Sequence, residues 1–543
     1  MNHFGERVRC VRNVLARLAF AGGAAALCVA PAQADDSAAP AAVAPAAAPR
    51  TVEIEAYDIE GNSLLDQLAI EEAVYPFLGP DRTKEDVEGA RAALENAYRA
   101  RGFQTVVVEI PPQTVKNGIV RLRVVEAAVG RLRVVGAQYY PPSELKNEVP
   151  SLQQGKVPDI PKVQAEIADA NRLPGRRVVP AVKAGKYPGT VDVDLKVTES
   201  NPLQASVELN NDHSQDTKAL RTTATVKYDN LWYAGHSASF TALLAPQDTS
   251  QAMVFAGSYL APIWGTPWSI LAFGYTSNSE VVTLGSTSVL GKGYAVGLRG
   301  LLQLPTVGDY SHSFSFGADF KHFLENLKFD DTTVGVTIDY VPLTASYSAQ
   351  WMTDSSNLSA TVSATLGLRG LGSDALVMND KRAYARANFI RLNLDASETL
   401  ALWHDIEVAG RFSGQLSDQA LVSSEQFAAG GLSSVRGYLQ SEAVGDNGAF
   451  ESLELRSPSV GRYLTENIGE WRVFAFGDAA QTDIRDPLAD QTSHAELVSV
   501  GVGTRISAFD MFSGEFVLGV PMKNGTVSKA RKPYAQFSVK AGL

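Results

Sequence analysis

Leu203-Gln204-Ala205-Ser206-Val207-Glu208-Leu209-Asn210 puts an apolar side chain at every odd position and a polar one at every even position. Successive side chains of a strand point to opposite faces, so this stretch reads as a strand with one apolar and one polar face. The pattern runs on to the C-terminus. Ala224, Val226 and Tyr228 alternate with Thr225, Lys227 and Asp229, and Leu271, Phe273 and Tyr275 with Ala272 and Gly274. Ala535, Phe537 and Val539 alternate with Gln536, Ser538 and Lys540. A β-sandwich alternates too, but it does not account for residues 201–543 without a helical block. Nor does it explain tight turns such as Trp264-Gly265-Thr266-Pro267 separated by long polar connections. Short turns at one end and long loops at the other belong to a transmembrane β-barrel. At about 10 residues per strand plus loops, the region holds about 16 antiparallel strands around an aqueous lumen.

The rest of the chain agrees with that reading. No segment after the N-terminus offers 18 uninterrupted apolar residues, the length a membrane helix needs. The nearest, Met253 to Tyr275, is broken by Pro262, Gly265 and Pro267. A membrane location then requires a closed barrel, because only helices and barrels satisfy every backbone group in lipid. At the N-terminus, Arg7, Arg9, Arg12 and Arg17 precede the apolar run Leu18 to Ala30, and Ala32-Gln33-Ala34 has the small-x-small form of a secretory cleavage site. Residues 1–34 are therefore expected to be a signal peptide. Cys28 raises a lipoprotein signal as the alternative, which bulky Leu27 before it opposes. Cleavage after Ala34 removes both cysteines, Cys10 and Cys28, although the mature chain enters a compartment that permits disulfides. The net charge of −11 becomes more negative with the loss of four Arg and one Glu, so nothing in it favours a nucleic-acid partner.

Between signal and barrel lie three segments. Residues 35–50 form an Ala/Pro-rich linker, too short and proline-broken to thread a barrel as a plug helix. Residues 51–127 read as a β-α-α-β-β unit. Val52 to Ile59 is its first strand, and Asn62 or Ser63 caps a helix bearing Leu65, Leu68 and Val74. Thr83 caps a longer helix striped by Val87, Ala90, Leu94, Ala97 and Tyr98, with Glu85 and Asp86 in the first turn where the helix dipole favours them. Strands Phe103 to Ile110 and Ile119 to Glu126 complete the unit. Residues 128–200 repeat the order: strand Arg131 to Val135, helices Ser143 to Val149 and Val163 to Leu173, strands Val178 to Val182 and Thr190 to Thr198.

Catalytic chemistry is hard to find. The seven histidines are scattered, and the chain has no H-E-x-x-H, P-loop or cysteine nucleophile. Gly235-His236-Ser237-Ala238-Ser239 falls one residue short of a nucleophile elbow and opens a barrel strand. The expectation is a protein without enzymatic activity, cofactor or metal. Two other segments carry more information. Gly430-Gly431-Leu432-Ser433-Ser434-Val435-Arg436-Gly437-Tyr438 opens a Gly-rich stretch that reaches Gly448, and Phe474-Ala475-Phe476-Gly477-Asp478-Ala479-Ala480 is a strand with an acid among apolar and small residues. By spacing alone they read as an extracellular loop and as a strand with one polar residue facing the lumen.

Taken together, these features resemble the outer-membrane transporters of two-partner secretion, the TpsB family that exports haemolysins and filamentous adhesins. Tyr98-x-x-x-Gly102-Phe103 and Ile110-Pro111-Pro112-Gln113 make residues 51–127 similar to the family's first POTRA domain, and Leu173-Pro174-Gly175 makes residues 128–200 similar to the second. Val435-Arg436-Gly437-Tyr438 matches the family's V-R-G-Y/F motif, carried on a loop that folds back into the pore. Asp446, Gly448, Glu454, Leu455, Arg456 and Pro458 continue that block. Phe476 and Asp478 resemble the F-x-D-x-G motif of a barrel strand, with Ala480 in place of its final glycine. The resemblance implies that Asp478 pairs with Arg436, a pair expected in a wet lumen. It further implies an outer-membrane pore that exports a large unfolded protein, with periplasmic POTRA domains capturing the client. Further partners would be outer-membrane lipid, the barrel-assembly machinery and periplasmic chaperones. The rivals are an insertase of the same superfamily, which usually carries more POTRA units, and a porin or receptor, which leaves Val52 to Glu199 unexplained.

Overall fold

The computed structural model describes residues 51–543 apart from 172, 174, 280, 285, 286, 291, 330, 331 and 490. The signal peptide (1–34) and the Ala/Pro-rich linker (35–50) lie outside the described residues.

Both N-terminal units have one topology. In the first, strand Ala56–Glu60 runs parallel to Ile119–Glu126, which pairs antiparallel with Val106–Glu109. In the second, Ala128–Val135 runs parallel to Thr190–Glu199, which pairs antiparallel with Arg176–Ala184. Two helices cover each sheet: Gln67–Val74 and Lys84–Ala100 in the first unit, Pro142–Asn147 and Ile160–Ala170 in the second. Each unit has its own core, one around Leu94, Tyr98, Leu122 and Val124, the other around Leu145, Leu152, Val193 and Leu195. Thr83 and Asp86 form a reciprocal capping box on the longer helix. The shorter helix is capped by Asp66, not by Asn62 or Ser63. Asn62 instead accepts the Leu65 N–H and the Tyr98 hydroxyl, closing the turn one step earlier. On the second sheet the Arg133 fork and then Lys183 hold the Asp194 carboxyl down at about 2.

The units are joined end to end. The Ile160 N–H donates to Gly102 O at 2.9 Å, linking first to second. Leu173 of the second packs against the barrel turn at Gly235.

Sixteen strands then close on themselves in chain order, the last (Tyr534–Gly542) pairing with the first (Leu203–Asn210). The alternation read from the sequence now has a direction. Val207, Leu298, Val362, Leu453 and Val502 point outward and exposed, as a lipid-facing surface requires. Asp319, Gln415, Ser452, Asp478, Ser499 and Gln536 are buried on the inner face. At the end that carries the N-terminal units the turns are short, and Trp232, Trp264, Trp351, Trp403, Tyr463 and Phe509 are exposed around it. Amphipathic rings at this level suit a membrane–water interface. At the far end the connections are long, and strands Tyr310–Phe329 and Thr332–Met352 are about twice the 9–11 residues a tilted strand needs to cross.

Candidate functional site

The longest connection, residues 418–446, joins strand Glu407–Ser417 to strand Asn447–Arg456 and folds back inside the barrel. Short strands Phe427–Ala429 and Ala443–Gly445 pair antiparallel, making it a hairpin. Two buried acids fix its base. Glu425 lies between Lys321, Arg391 at 2.8 Å and the Tyr340 hydroxyl at 2.8 Å. Asp446 receives both arms of Arg382, the Leu421 N–H at 2.9 Å and the Arg485 N–H at 2.7 Å.

The tip carries the sequence motif. Val435 and Tyr438 are fully buried in a cluster with Phe427, Phe450 and Leu497. The Tyr438 hydroxyl lies 2.8 Å from Lys523 O and 3.0 Å from Val498 O. Gly437 has a positive φ of 91°, and a Cβ there would stand 2.9 Å from the backbone of Gly519. Glycine alone satisfies both conditions.

Arg436 lies against the barrel wall. Its Nε is 2.9 Å from Asp478 Oδ2, its Nη2 is 2.9 Å from Asp478 Oδ1, and its own backbone N–H donates to Oδ2 at 3.0 Å. The remaining arm reaches Glu454 Oε2 at 2.6 Å, and Nη2 also meets the Ser452 hydroxyl at 3.2 Å. The guanidinium sits 3.7 Å over the Phe476 ring, which uses its flat face as the carboxylates use its edge. Strand register explains the convergence. Ser452 is opposite Asp478 and Glu454 opposite Phe476, so alternate residues of two neighbouring strands surround one cation. From Glu454 the charges continue down the wall through Arg456, Glu407 and Arg472 to Asp405, in alternating sign.

Thus all six residues singled out from the sequence, Val435, Arg436, Gly437, Tyr438, Phe476 and Asp478, lie in one contiguous site. The surroundings differ from expectation in one respect. Arg436 and Asp478 are each only 2 % exposed, so the pair is dry, with Phe474 and Phe476 packed against the guanidinium. In the sequence Glu454 stands out only as part of the block that continues the V-R-G-Y/F motif. The signal that would have assigned it is register, since an acid two positions from Ser452 on the inner face must lie diagonal to Asp478. Among the described residues no group of His, Cys, Asp and Glu is arranged to hold a metal.

Over residues 189–506 the sequence matches the family described as haemolysin secretion/activation protein ShlB/FhaC/HecB, and over residues 52–127 the ShlB-type POTRA domain. The chain belongs to the haemolysin secretion/activation protein family. The outer membrane transporter CdiB of Dickeya dadantii is 23% identical over 403 residues, 70% of this chain and 67% of that one. The heme/hemopexin transporter protein HuxB of Haemophilus influenzae (strain 86-028NP) is 23% identical over 396 residues, with the same coverage. The solved structure of CdiB from Escherichia coli shares the fold, with a TM-score of 0.59 at 19% identity and 91% coverage of both chains. As a family member, the chain is an outer-membrane transporter that exports a partner protein, with POTRA structure on the periplasmic side.

Proposed function

We propose that this transporter exports one large, unfolded secreted protein of haemolysin or adhesin type, that residues 51–127 and 128–200 capture it, and that the 418–446 loop occupies the conduit until it arrives. The observation that carries the proposal is Arg436, enclosed by Asp478, Glu454 and Phe476 inside a closed sixteen-strand barrel. A long loop has no reason of its own to remain in a lumen where water competes for its charge. A carboxylate fixed on the wall supplies one, and the guanidinium fork binds both its oxygens. The loop is therefore held by a contact that can be broken, inside a wall that does not depend on it.

Capture is by strand addition, which suits an unfolded client because main-chain hydrogen bonds make few demands on its side chains. In this division residues 1–34 are the signal peptide, 35–50 the linker and 201–543 the barrel. Periplasmic chaperones and the barrel-assembly machinery deliver the transporter to its membrane, and folding of the client outside drives export. In a strain lacking the chain, a large secreted protein encoded beside it is expected to stay inside, while other outer-membrane barrels assemble normally. Normal secretion with failed barrel assembly would favour the insertase reading.

A further inference from the structure

The barrel's closure is its shortest ladder. The last strand meets the first over five residue pairs, Ser538 to Gly542 against Asn210 to Ser206, whereas each of these strands shares eight pairs with its other neighbour. Asn211, the first residue past the ladder, extends it with its side chain. Its Oδ1 accepts the Phe537 N–H at 2.8 Å and its Nδ2 donates to Ala535 O at 2.9 Å.

The next two residues turn from the seam to the loop. Asp212 Oδ1 accepts the Leu432 N–H at 3.0 Å, and His213 O accepts the Gln440 N–H at 2.9 Å. Gly431, with a positive φ of 103°, has no room for a side chain, since a Cβ would stand 2.7 Å from Asp212 Oδ1. On the other side of the seam Gln536 of the last strand accepts the Gly437 N–H at 2.7 Å and donates to Tyr438 O at 3.3 Å. The loop tip therefore touches both sides of the closure.

We propose that Asp212 is a second positioning residue for the pore loop, holding the Gly431–Leu432 stem from the first strand's side of the seam while Arg436 holds the tip against strands Asn447–Arg456 and Ile468–Asp483 on the other side. The loop then bridges the closure, and its departure removes a brace from the shortest ladder in the barrel. This rests on the reading of the loop as the occupant of the conduit.

The test uses the full-length protein in planar lipid bilayers, with R436A as reference. Loss of the hydrogen bond that the Leu432 N–H donates is expected to make D212A spend about tenfold longer in its large-conductance state, with heat-modifiable migration intact. D212N keeps an acceptor oxygen for Leu432 and is expected to behave as wild type. D212S is too short to reach and is expected to leak like D212A, which covers poor insertion of the alanine variant. If R436A leaks while D212A and D212S do not, or if D212N leaks as much as D212A, the role of Asp212 is overturned and the gate reading stands. If R436A itself conducts as wild type, the gate reading falls and this inference falls with it.

Discussion

Arg436 is where the energetics and the function meet. Removing one partner of a buried ion pair costs about 3–5 kcal/mol, against about 0–1 kcal/mol for an exposed pair. The dry surroundings of Arg436 and Asp478 put the pair at the upper end, above what a wet lumen implied. R436A leaves Asp478 uncompensated, while Glu454 keeps Arg456 at 2.7 Å, and the cheapest relief is for the loop to move and admit water, since the wall strands keep their ladder hydrogen bonds. R436A and D478A are therefore expected to insert as normal barrels, to lose most secretion and to change conductance. Their effects should be strongly non-additive in a double-mutant cycle, and simple addition would show that the two residues act separately. The charge swap R436D/D478R should recover only part of the activity, because the new acid at 436 faces Glu454. Adding E454Q should recover more. R436K should fail at this site, since an ammonium cannot serve two carboxylates and a ring face at once.

At the scale of elements, the free edge of strand Arg176–Ala184 is narrower than its length suggests. The Asn171 side chain already occupies the Val178 N–H and C=O, at 2.6 and 3.0 Å. Pro180, facing the same way two residues on, has no N–H to offer. The N–H donors left for an incoming strand begin at Val182. V182P is thus expected to weaken client binding several-fold while leaving the unit folded, whereas V179P should destabilise the unit because that N–H faces Lys196 in the ladder. Binding unchanged by V182P in an isothermal titration would move the capture edge elsewhere. Deleting residues 51–199 should abolish export and leave an inserted barrel, and secretion at the normal level would remove capture by these units from the pathway. The barrel and the repeated units were legible in the sequence because both depend on local periodicity. The helix start at Asp66 was misplaced because Asn62, Ser63 and Asp66 are all good caps, and only the tertiary bond from Tyr98 selects among them. Asp212 and Glu425 were not legible at all. They lie in polar connections, where no periodicity indicates which side chain turns inward.

For the whole molecule, a closed barrel with lipid-facing apolar rows should fractionate with outer membranes and migrate faster on a gel without boiling than with it. A soluble periplasmic protein would contradict the fold. The charged ladder from Arg436 to Asp405, the buried hub at Asp446 and the short closure all face one interior, so a client that crosses must pass them. The most direct measurement places a photo-crosslinking residue at Ser433, exposed to the lumen on the loop, or at Leu453, 61% exposed on the lipid face of a neighbouring strand. A client is then stalled in transit by a tightly folded domain at its trailing end. Adducts with the client at Ser433 and none at Leu453 are the expected result. Adducts at Leu453 without any at Ser433 would mean that the client crosses beside the barrel, and export through this lumen would be wrong.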